Sequence, residues 1–322
     1  MRTAIIAAAL LAAPALDADT APSYPPTPSE IVAAAAPSDW VAIDPSDVLV
    51  VTFAPDAAGR ERKVVIQLIA APFSTAWTAN IRTLAKAHWW DGLAIVRAQD
   101  NYVVQWGDPD GEDEAKARAL PAGLKPTSEQ DYAIPVPPRP TSEATGAYVG
   151  APAVGFGVLR DSYAPSVGYT LTGWPTASDG QDWWPIHCYG TVGVGRDVSP
   201  SAGTGAELYA VIGQAPRHLD RNIAVVGRVI EGIEHLSTLP RGTEALGFYA
   251  TPAERTPIAS IRLASDLPAA ERPRFEYLST ESASFAQYVN ARANRHDAFF
   301  IKPAGGVDIC NAPVPVRRAK AG

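Results

Sequence analysis

The hydrophobic positions in the first half of this chain lie in short runs that are rich in β-branched residues. Two such runs, at 48–53 and 63–69, flank a polar segment at 55–62. Runs of this length on either side of a turn are typical of a β-hairpin. Two further runs, at 93–96 and 102–104, are joined by a short polar loop. The pattern therefore predicts a second pair of adjacent strands.

A helical period separates the two strand pairs. Trp77, Ile81 and Leu84 recur at intervals of four and three residues, after Ser74 or Thr75 as the capping residue. This spacing places the three apolar side chains on one face. The sequence therefore predicts an amphipathic helix that ends near residue 87.

Two long polar side chains end the strands of the second pair. Arg97 closes the first strand and Gln105 closes the second, while a turn at 91–92 opens the unit and a turn at 107–109 closes it. A cation and an amide held near each other on a rigid sheet can grip a carbonyl group without any nucleophile. This arrangement indicates a binding or catalytic site for an amide.

The ordered set of turn, strand, arginine, aromatic residue and glutamine resembles the cyclophilin-type peptidyl-prolyl isomerases. Their signature has an Asp-Gly turn, a strand that ends in a catalytic arginine, a strand that ends in glutamine, and a Gly-Gly-Asp-Pro turn, in which Trp106 replaces the first glycine here. A second match follows in the correct order at 205–229, where GAELYAVIGQAPRHLDRNIAVVGRV resembles a strand, a His-Leu-Asp turn and a further strand of the family. The resemblance implies a mainly β fold: a closed eight-stranded antiparallel barrel capped by two helices, the second of them at 230–239.

The resemblance also assigns roles to residues. It implies that Arg97 stabilises a twisted X-Pro amide and that Gln105 holds the carbonyl as it turns, with no cofactor and no metal. The substrate-binding positions that it implies are Tyr102, Val103, Gly195, Glu207, Tyr209, His218, Leu219 and Ile223. The expected function is that of a peptidyl-prolyl cis-trans isomerase acting on proline-containing polypeptides.

Three of the departures from the family pattern bear on the function. Glu207 stands where the family has a second glutamine, Ile223 where it has a pocket histidine, and His218 where it has a tryptophan. Cyclosporin-like ligands bind family members partly through the last two positions. Glu207 either pairs with Arg97 and holds it in place, or restrains it from the substrate; the sequence leaves both open. The alternative function is therefore a cyclophilin-like binding module or chaperone with low or no turnover.

The pattern along the chain predicts four segments around this match. Residues 1–18 combine one arginine, an apolar run and small residues, as in a secretory signal peptide. Residues 19–46 are rich in proline and alanine and are predicted to be a linker. Residues 47–264 form the barrel, with an insertion at about 112–182, and residues 265–322 form a C-terminal extension.

Composition and cysteine content limit the kinds of partner and the cellular compartment that the sequence predicts. A net charge of -7 argues against nucleic acid as a partner, and no stretch after the signal is long enough to insert stably in a membrane. The predicted export places the protein outside the cytoplasm and favours the periplasm, with an extracellular space as the alternative. Cys188 and Cys310 either pair there or remain two buried thiols. The oligomeric state is not predicted.

Overall fold

A computed structural model describes residues 24–136 and 157–320. The predicted secretory signal at 1–18 lies outside the described residues. So do the first residues of the predicted linker and residues 137–156 of the predicted insertion.

The strands alternate with few helices along the described residues. In chain order the strands are β1 (Trp40–Ala42), β2 (Val48–Phe53), β3 (Arg62–Leu68), β4 (Ala94–Ala98), β5 (Val103–Gly107), β6 (Ile134–Pro135), β7 (Leu159–Arg160), β8 (Ser166–Tyr169), β9 (Pro175–Ser178), β10 (Asp182–Pro185), β11 (Thr191–Val194), β12 (Leu208–Val211), β13 (Val225–Glu231), β14 (Thr256–Leu263), β15 (Phe275–Leu278), β16 (Val307–Asp308) and β17 (Val316–Arg318). The α-helices are α1 (Pro28–Ala34), α2 (Thr75–Lys86), α3 (Glu234–Ser237) and α4 (Ala283–Ala293).

Eight of these strands close into a barrel, which confirms the expected fold class. Their spatial order is β11-β12-β5-β4-β14-β2-β3-β13, and β13 pairs back with β11. All of the pairings are antiparallel. Closure leaves no unpaired strand edge on the barrel. The predicted hairpins correspond to β2 with β3 and to β4 with β5.

Helix α2 packs its predicted apolar stripe against the barrel. Trp77, Ile81 and Leu84 are all fully buried, and the Trp77 indole N–H donates to the carbonyl oxygens of Ala202 and Gly203 at 3.1 and 2.9 Å. The helix is therefore anchored at one end of the barrel, as its periodicity predicts.

The second predicted helix is shorter than expected. Strand β13 continues to Glu231, and Gly232, whose φ is +83°, turns the chain, so that α3 covers only Glu234–Ser237 of the predicted 230–239. The described residues hold four helices rather than the two expected on the barrel, because α1 and α4 belong to a second layer and pack against each other.

This second layer, called the outer layer below, is built from residues 24–46, 157–186 and 265–320. Strands β1, β15 and β17 form one sheet, β10, β9 and β8 continue a sheet that begins with β6, and β7 pairs in parallel with β16. Its core has its own hydrophobic cluster, which includes Trp40, Val48, Val50, Leu159, Trp184, Phe275, Tyr277, Phe285, Val289 and Ile309.

The N-terminal arm differs from the predicted linker. Over its described part it is structured, since α1 begins with a capping box between Thr27 and Glu30 and since Trp40 and Ile43 are buried in the outer layer. Side-chain burial stabilises these residues more than their proline and alanine content loosens them.

Strand β2 lies between the two cores. Leu49, Val51 and Phe53 point into the barrel, whereas Val48 and Val50 point into the outer layer. Successive side chains of a strand face opposite sides, so both faces of β2 are covered. This is why the strand is a continuous apolar run rather than an alternating one.

Candidate active site

Arg97 and Gln105 face each other across β4 and β5. The register pairs the two residues directly, just after a β-bulge at Ile95. The Arg97 Nη1 donates to the Gln105 Oε1 at 3.3 Å. The two predicted catalytic side chains thus form one hydrogen-bonded unit on the surface of the barrel.

Two further acceptors fix the Arg97 guanidinium. Its Nε donates to the backbone carbonyl of Leu246 at 2.6 Å, and its Nη2 donates to the Gln99 Oε1. The guanidinium also lies 5.6 and 5.4 Å from the ring centroids of Tyr102 and Phe248. Burial lowers the pKa of Arg97 from its ordinary value, but an arginine remains charged at neutral pH. Since Nη1 and Nη2 each carry two N–H groups, both keep one donor for a substrate.

Glu207 holds the other side of Gln105. Its Oε1 accepts from the backbone N–H of Asp108 at 2.7 Å, and its carboxylate also accepts from the Gln105 side chain. Burial raises the pKa of Glu207 to about 7, against the opposing effect of these hydrogen bonds. A carboxyl group in this environment titrates near neutrality and orients the Gln105 amide.

Two glycines make room for this carboxylate. A Cβ on Gly107 would lie 2.0 Å from both Glu207 carboxylate oxygens. A Cβ on Gly195 would lie 2.8 Å from the Glu207 Cβ and 3.2 Å from the Gln105 Nε2. Glycine at both positions is therefore needed for Glu207 and Gln105 to pack as they do.

The structure bears on one of the two roles considered for Glu207, a direct pair with Arg97. Among the described residues, Arg97 forms no ion pair, and the Glu207 carboxylate contacts Gln105 and Asp108 instead. Glu207 therefore acts on Arg97 only through Gln105. The direct pairing considered from the sequence is not formed.

An apolar cluster lies beside the arginine, at the position where the family resemblance implies the proline pocket. Val103, Tyr209 and Val211 are buried together at its floor. The residues that pack on this floor are Tyr102, Leu219 and Ile223. The exposed His218 ring stacks on Tyr102, with ring centroids 6.0 Å apart and an interplanar angle of 11°. The pocket thus has an apolar floor and one imidazole at its rim.

The ten predicted site residues all come together on this face of the barrel. Sequence reasoning missed four neighbours of the site: Gln99, Leu246, Phe248 and His187. Gln99 lies two residues after Arg97, so the alternation of a strand would have placed both side chains on the same face. The other three have no signal in the sequence, because Leu246 and Phe248 lie in a loop far along the chain and His187 follows β10.

The adjacent pair His187 and Cys188 does not form a thiol nucleophile. Cys188 is joined to Cys310 in a disulfide, with the Cα atoms 5.1 Å apart. The imidazole of His187 is instead hydrogen-bonded to Asp220 and Tyr209. In the described part of the chain, no cluster of three or more His, Cys, Asp or Glu side chains is placed to hold a metal ion. In the same residues, no helix has the length and apolar character of a membrane span.

The arrangement suits catalysis without a covalent intermediate. Rotation about an X-Pro bond must overcome a barrier of about 18–20 kcal/mol, because the amide is conjugated. A fixed cation that donates to the twisted amide more strongly than to the planar one lowers this barrier. Arg97 offers such donors beside an apolar pocket that has the character needed to hold a proline ring.

Comparison with known proteins bears on the family and the fold. The sequence profile described as "Cyclophilin type peptidyl-prolyl cis-trans isomerase/CLD" matches residues 61–263. A search of curated proteins found no match. The fold is similar to that of cyclophilin AquaCyp293 from Hirschia baltica, with 20% sequence identity over 90% of this chain and 96% of that chain and a TM-score of 0.61.

A second solved structure aligns less well. It is a Cryptosporidium parvum cyclophilin-type peptidyl-prolyl cis-trans isomerase, crystallised in the presence of the dipeptide Ala-Pro. It is 12% identical over 66% of this chain and 98% of that chain, with a TM-score of 0.36. The profile match covers more than half of the chain and includes Arg97 and Gln105. This chain therefore belongs to the cyclophilin-type peptidyl-prolyl cis-trans isomerase family.

Proposed function

We propose that this protein isomerises X-Pro bonds in extended or unfolded polypeptides and thereby assists the folding of exported proteins. The observation that carries the proposal is the Arg97–Gln105 pair, with its 3.3 Å hydrogen bond, beside the apolar floor of Val103 and Tyr209. A proline ring in this pocket would place its amide next to the free donors of Arg97.

Two observations support action outside the cytoplasm. The signal-like pattern at 1–18 favours export. The Cys188–Cys310 disulfide is in keeping with an oxidising compartment such as the periplasm. Client proteins in such a compartment arrive unfolded, and their X-Pro bonds isomerise in tens to hundreds of seconds without a catalyst.

The test is Arg97→Ala in the mature protein. We expect isomerisation of a short X-Pro peptide to fall by about tenfold or more, because the donor to the twisted amide is lost. Arg60→Ala removes an arginine charge from the exposed turn between β2 and β3, and this variant should isomerise the peptide at the wild-type rate. Full activity of Arg97→Ala, with an intact circular dichroism spectrum, would contradict the proposed mechanism.

A second candidate function is a proline-binding module with little turnover. Each nitrogen of the Arg97 guanidinium already donates a hydrogen bond, and Glu207 fixes Gln105 from behind. Both features oppose movement of the two side chains during rotation of the amide. Binding of the dipeptide Ala-Pro without any acceleration of isomerisation would favour this candidate over the enzyme.

A further inference from the structure

A chain of buried polar side chains begins at the floor of the pocket. The Tyr209 hydroxyl lies 2.9 Å from the Nε2 of His187, and the Nδ1 of His187 lies 3.0 Å from the Oδ1 of Asp220. The backbone N–H of His187 donates to the same carboxylate oxygen at 2.9 Å. His187 is 0% exposed, so these contacts are shielded from water.

The direction of the hydrogen bonds follows from the carboxylate. An ionised Asp220 can only accept, so His187 donates to it from Nδ1, and in the neutral imidazole the Nε2 is then bare. That nitrogen accepts the O–H of Tyr209. Burial raises the pKa of the Tyr209 phenol well above its ordinary value, so the hydroxyl keeps its proton for this bond.

The same series of hydrogen-bonded side chains continues into the insertion. The Nε of Arg217 donates to the Oδ2 of Asp220 at 2.6 Å, and its Nη1 and Nη2 donate to the two carboxylate oxygens of Asp161 at 2.5 and 3.0 Å. The Arg217 and Asp161 side chains are 2% and 1% exposed. Burial alone would lower the pKa of Arg217, but the two carboxylates outweigh it and raise that pKa. Asp161 directly follows β7, which pairs with β16 of the C-terminal extension.

The barrel has a space for the tyrosine hydroxyl. A Cβ on Gly193 of β11 would lie 2.3 Å from the Tyr209 Oη. The glycine thus leaves a passage through which the ring reaches His187 across the neighbouring strand. A phenylalanine at 209 would keep the apolar floor but would have no bond to fix the ring.

We propose that the outer layer positions the floor of the proline pocket through this relay. Asp161 and Arg217 hold Asp220, Asp220 holds His187, and His187 fixes the orientation of the Tyr209 ring. The four residues behind Tyr209 are positioning residues, since none of them lines the pocket itself. The inference rests on the proposed function, because it assigns to the apolar floor the role of binding the proline ring.

The alternative is that these residues only satisfy one another inside the protein. A double-mutant cycle separates the two cases, because coupling between distant substitutions appears only where both act through one chain of contacts. The readouts are the Kd of Ala-Pro, from chemical-shift titration, and the kcat and KM for a short X-Pro peptide.

We expect Asp161→Asn to weaken Ala-Pro binding and raise the KM by about fivefold, with a much smaller change in kcat. In the Tyr209→Phe background the same substitution should change both constants by less than about twofold, since the relay is already cut. Asp179→Asn is the matched control, because it removes an exposed ion pair with Arg221, at 3.4 Å, between the same insertion and the same turn. It should leave the Kd unchanged.

Tyr209→Phe alone keeps the proposal testable if Asp161→Asn does not fold. It removes only the hydroxyl and should weaken Ala-Pro binding as much as Asp161→Asn does. Unchanged binding in Tyr209→Phe, or equal effects of Asp161→Asn in both backgrounds, would overturn the relay. If Arg97→Ala still abolishes turnover in that case, the relay alone fails and the proposed function stands.

Discussion

The barrel and the outer layer contain hydrophobic cores that are assembled in different ways. In the barrel, consecutive strands such as β2 with β3, β4 with β5 and β11 with β12 are hydrogen-bonded neighbours. In the outer layer, the sheet of β1, β15 and β17 and the pair of β7 with β16 join segments from the two ends of the chain and from the insertion. The disulfide adds a covalent tie between the two regions.

The barrel and the outer layer also differ in what they contribute to the candidate site. The barrel carries Arg97, Gln105 and the apolar floor, so it contains the proposed catalytic geometry. The outer layer carries no residue of the predicted site, yet it covers one face of β2 and reaches the pocket through Asp161.

Removing the disulfide should have the largest effect on stability. Cys188 and Cys310 are 122 residues apart, and closing a loop of that length restricts the unfolded chain by roughly 5 kcal/mol at most. We expect Cys188→Ala/Cys310→Ala to lower the free energy of unfolding by several kcal/mol. At urea concentrations well below the unfolding midpoint, the isomerase activity of this variant should stay near that of the wild type. Urea denaturation and a peptide assay measure the two quantities.

Free-thiol counting supplies the control for that experiment. The denatured, non-reduced wild-type protein from an oxidising compartment should contain no titratable thiol. Two titratable thiols, or a double variant as stable as the wild type, would show that the tie does not constrain the outer layer.

A pH experiment tests the buried carboxyl group of the barrel. Burial raises the pKa of Glu207 to about 7 in the fold, from an ordinary value of 4.5, so the folded protein binds its proton more tightly. Its ionisation therefore costs stability progressively between about pH 4.5 and 7, by about 3 kcal/mol in all. Glu207→Gln cannot ionise, so its stability relative to the wild type should be greater at pH 8 than at pH 5 by most of that amount.

Urea denaturation at pH 5 and pH 8 measures this difference. The control is Glu61→Gln, which removes an exposed carboxylate directly before β3. Its free energy of unfolding should differ from that of the wild type by the same amount at both pH values. If Glu207→Gln behaves in the same way as Glu61→Gln, the carboxyl group is not held as the structure indicates.

The smallest effect is expected at the rim of the pocket. His218 offers less apolar area than the tryptophan of the family and stacks on Tyr102, and Ile223 cannot donate a hydrogen bond. Together these changes should weaken cyclosporin binding by roughly 1–3 kcal/mol relative to family members that keep both residues. His218→Trp should restore about tenfold in affinity.

Titration calorimetry measures this change. Nanomolar binding of cyclosporin to the wild-type protein would contradict the assignment of His218 and Ile223 to the pocket. No tightening in His218→Trp would place residue 218 outside the contact surface.

Much of the barrel and of the catalytic pair was predictable. Local patterns indicated the apolar run of β2, the stripe of Trp77, Ile81 and Leu84, and the strand ends at Arg97 and Gln105. Such patterns predict structure well where the contacting residues are close in sequence. The structured arm at 28–46 was not predicted, because its stability comes from partners at 275–278 and 283–293 that share no local pattern with it.

Strand alternation and a short hairpin leave each side chain little choice of direction, so the residues that line the barrel face follow from the sequence pattern alone. Which groups stand behind them depends on tertiary packing. The carbonyl of Leu246 on Arg97, the partner of Glu207, and the contacts from Tyr209 to Asp161 bring together residues that are far apart in the chain. Such contacts depend on how separately folded segments pack, which no local pattern records.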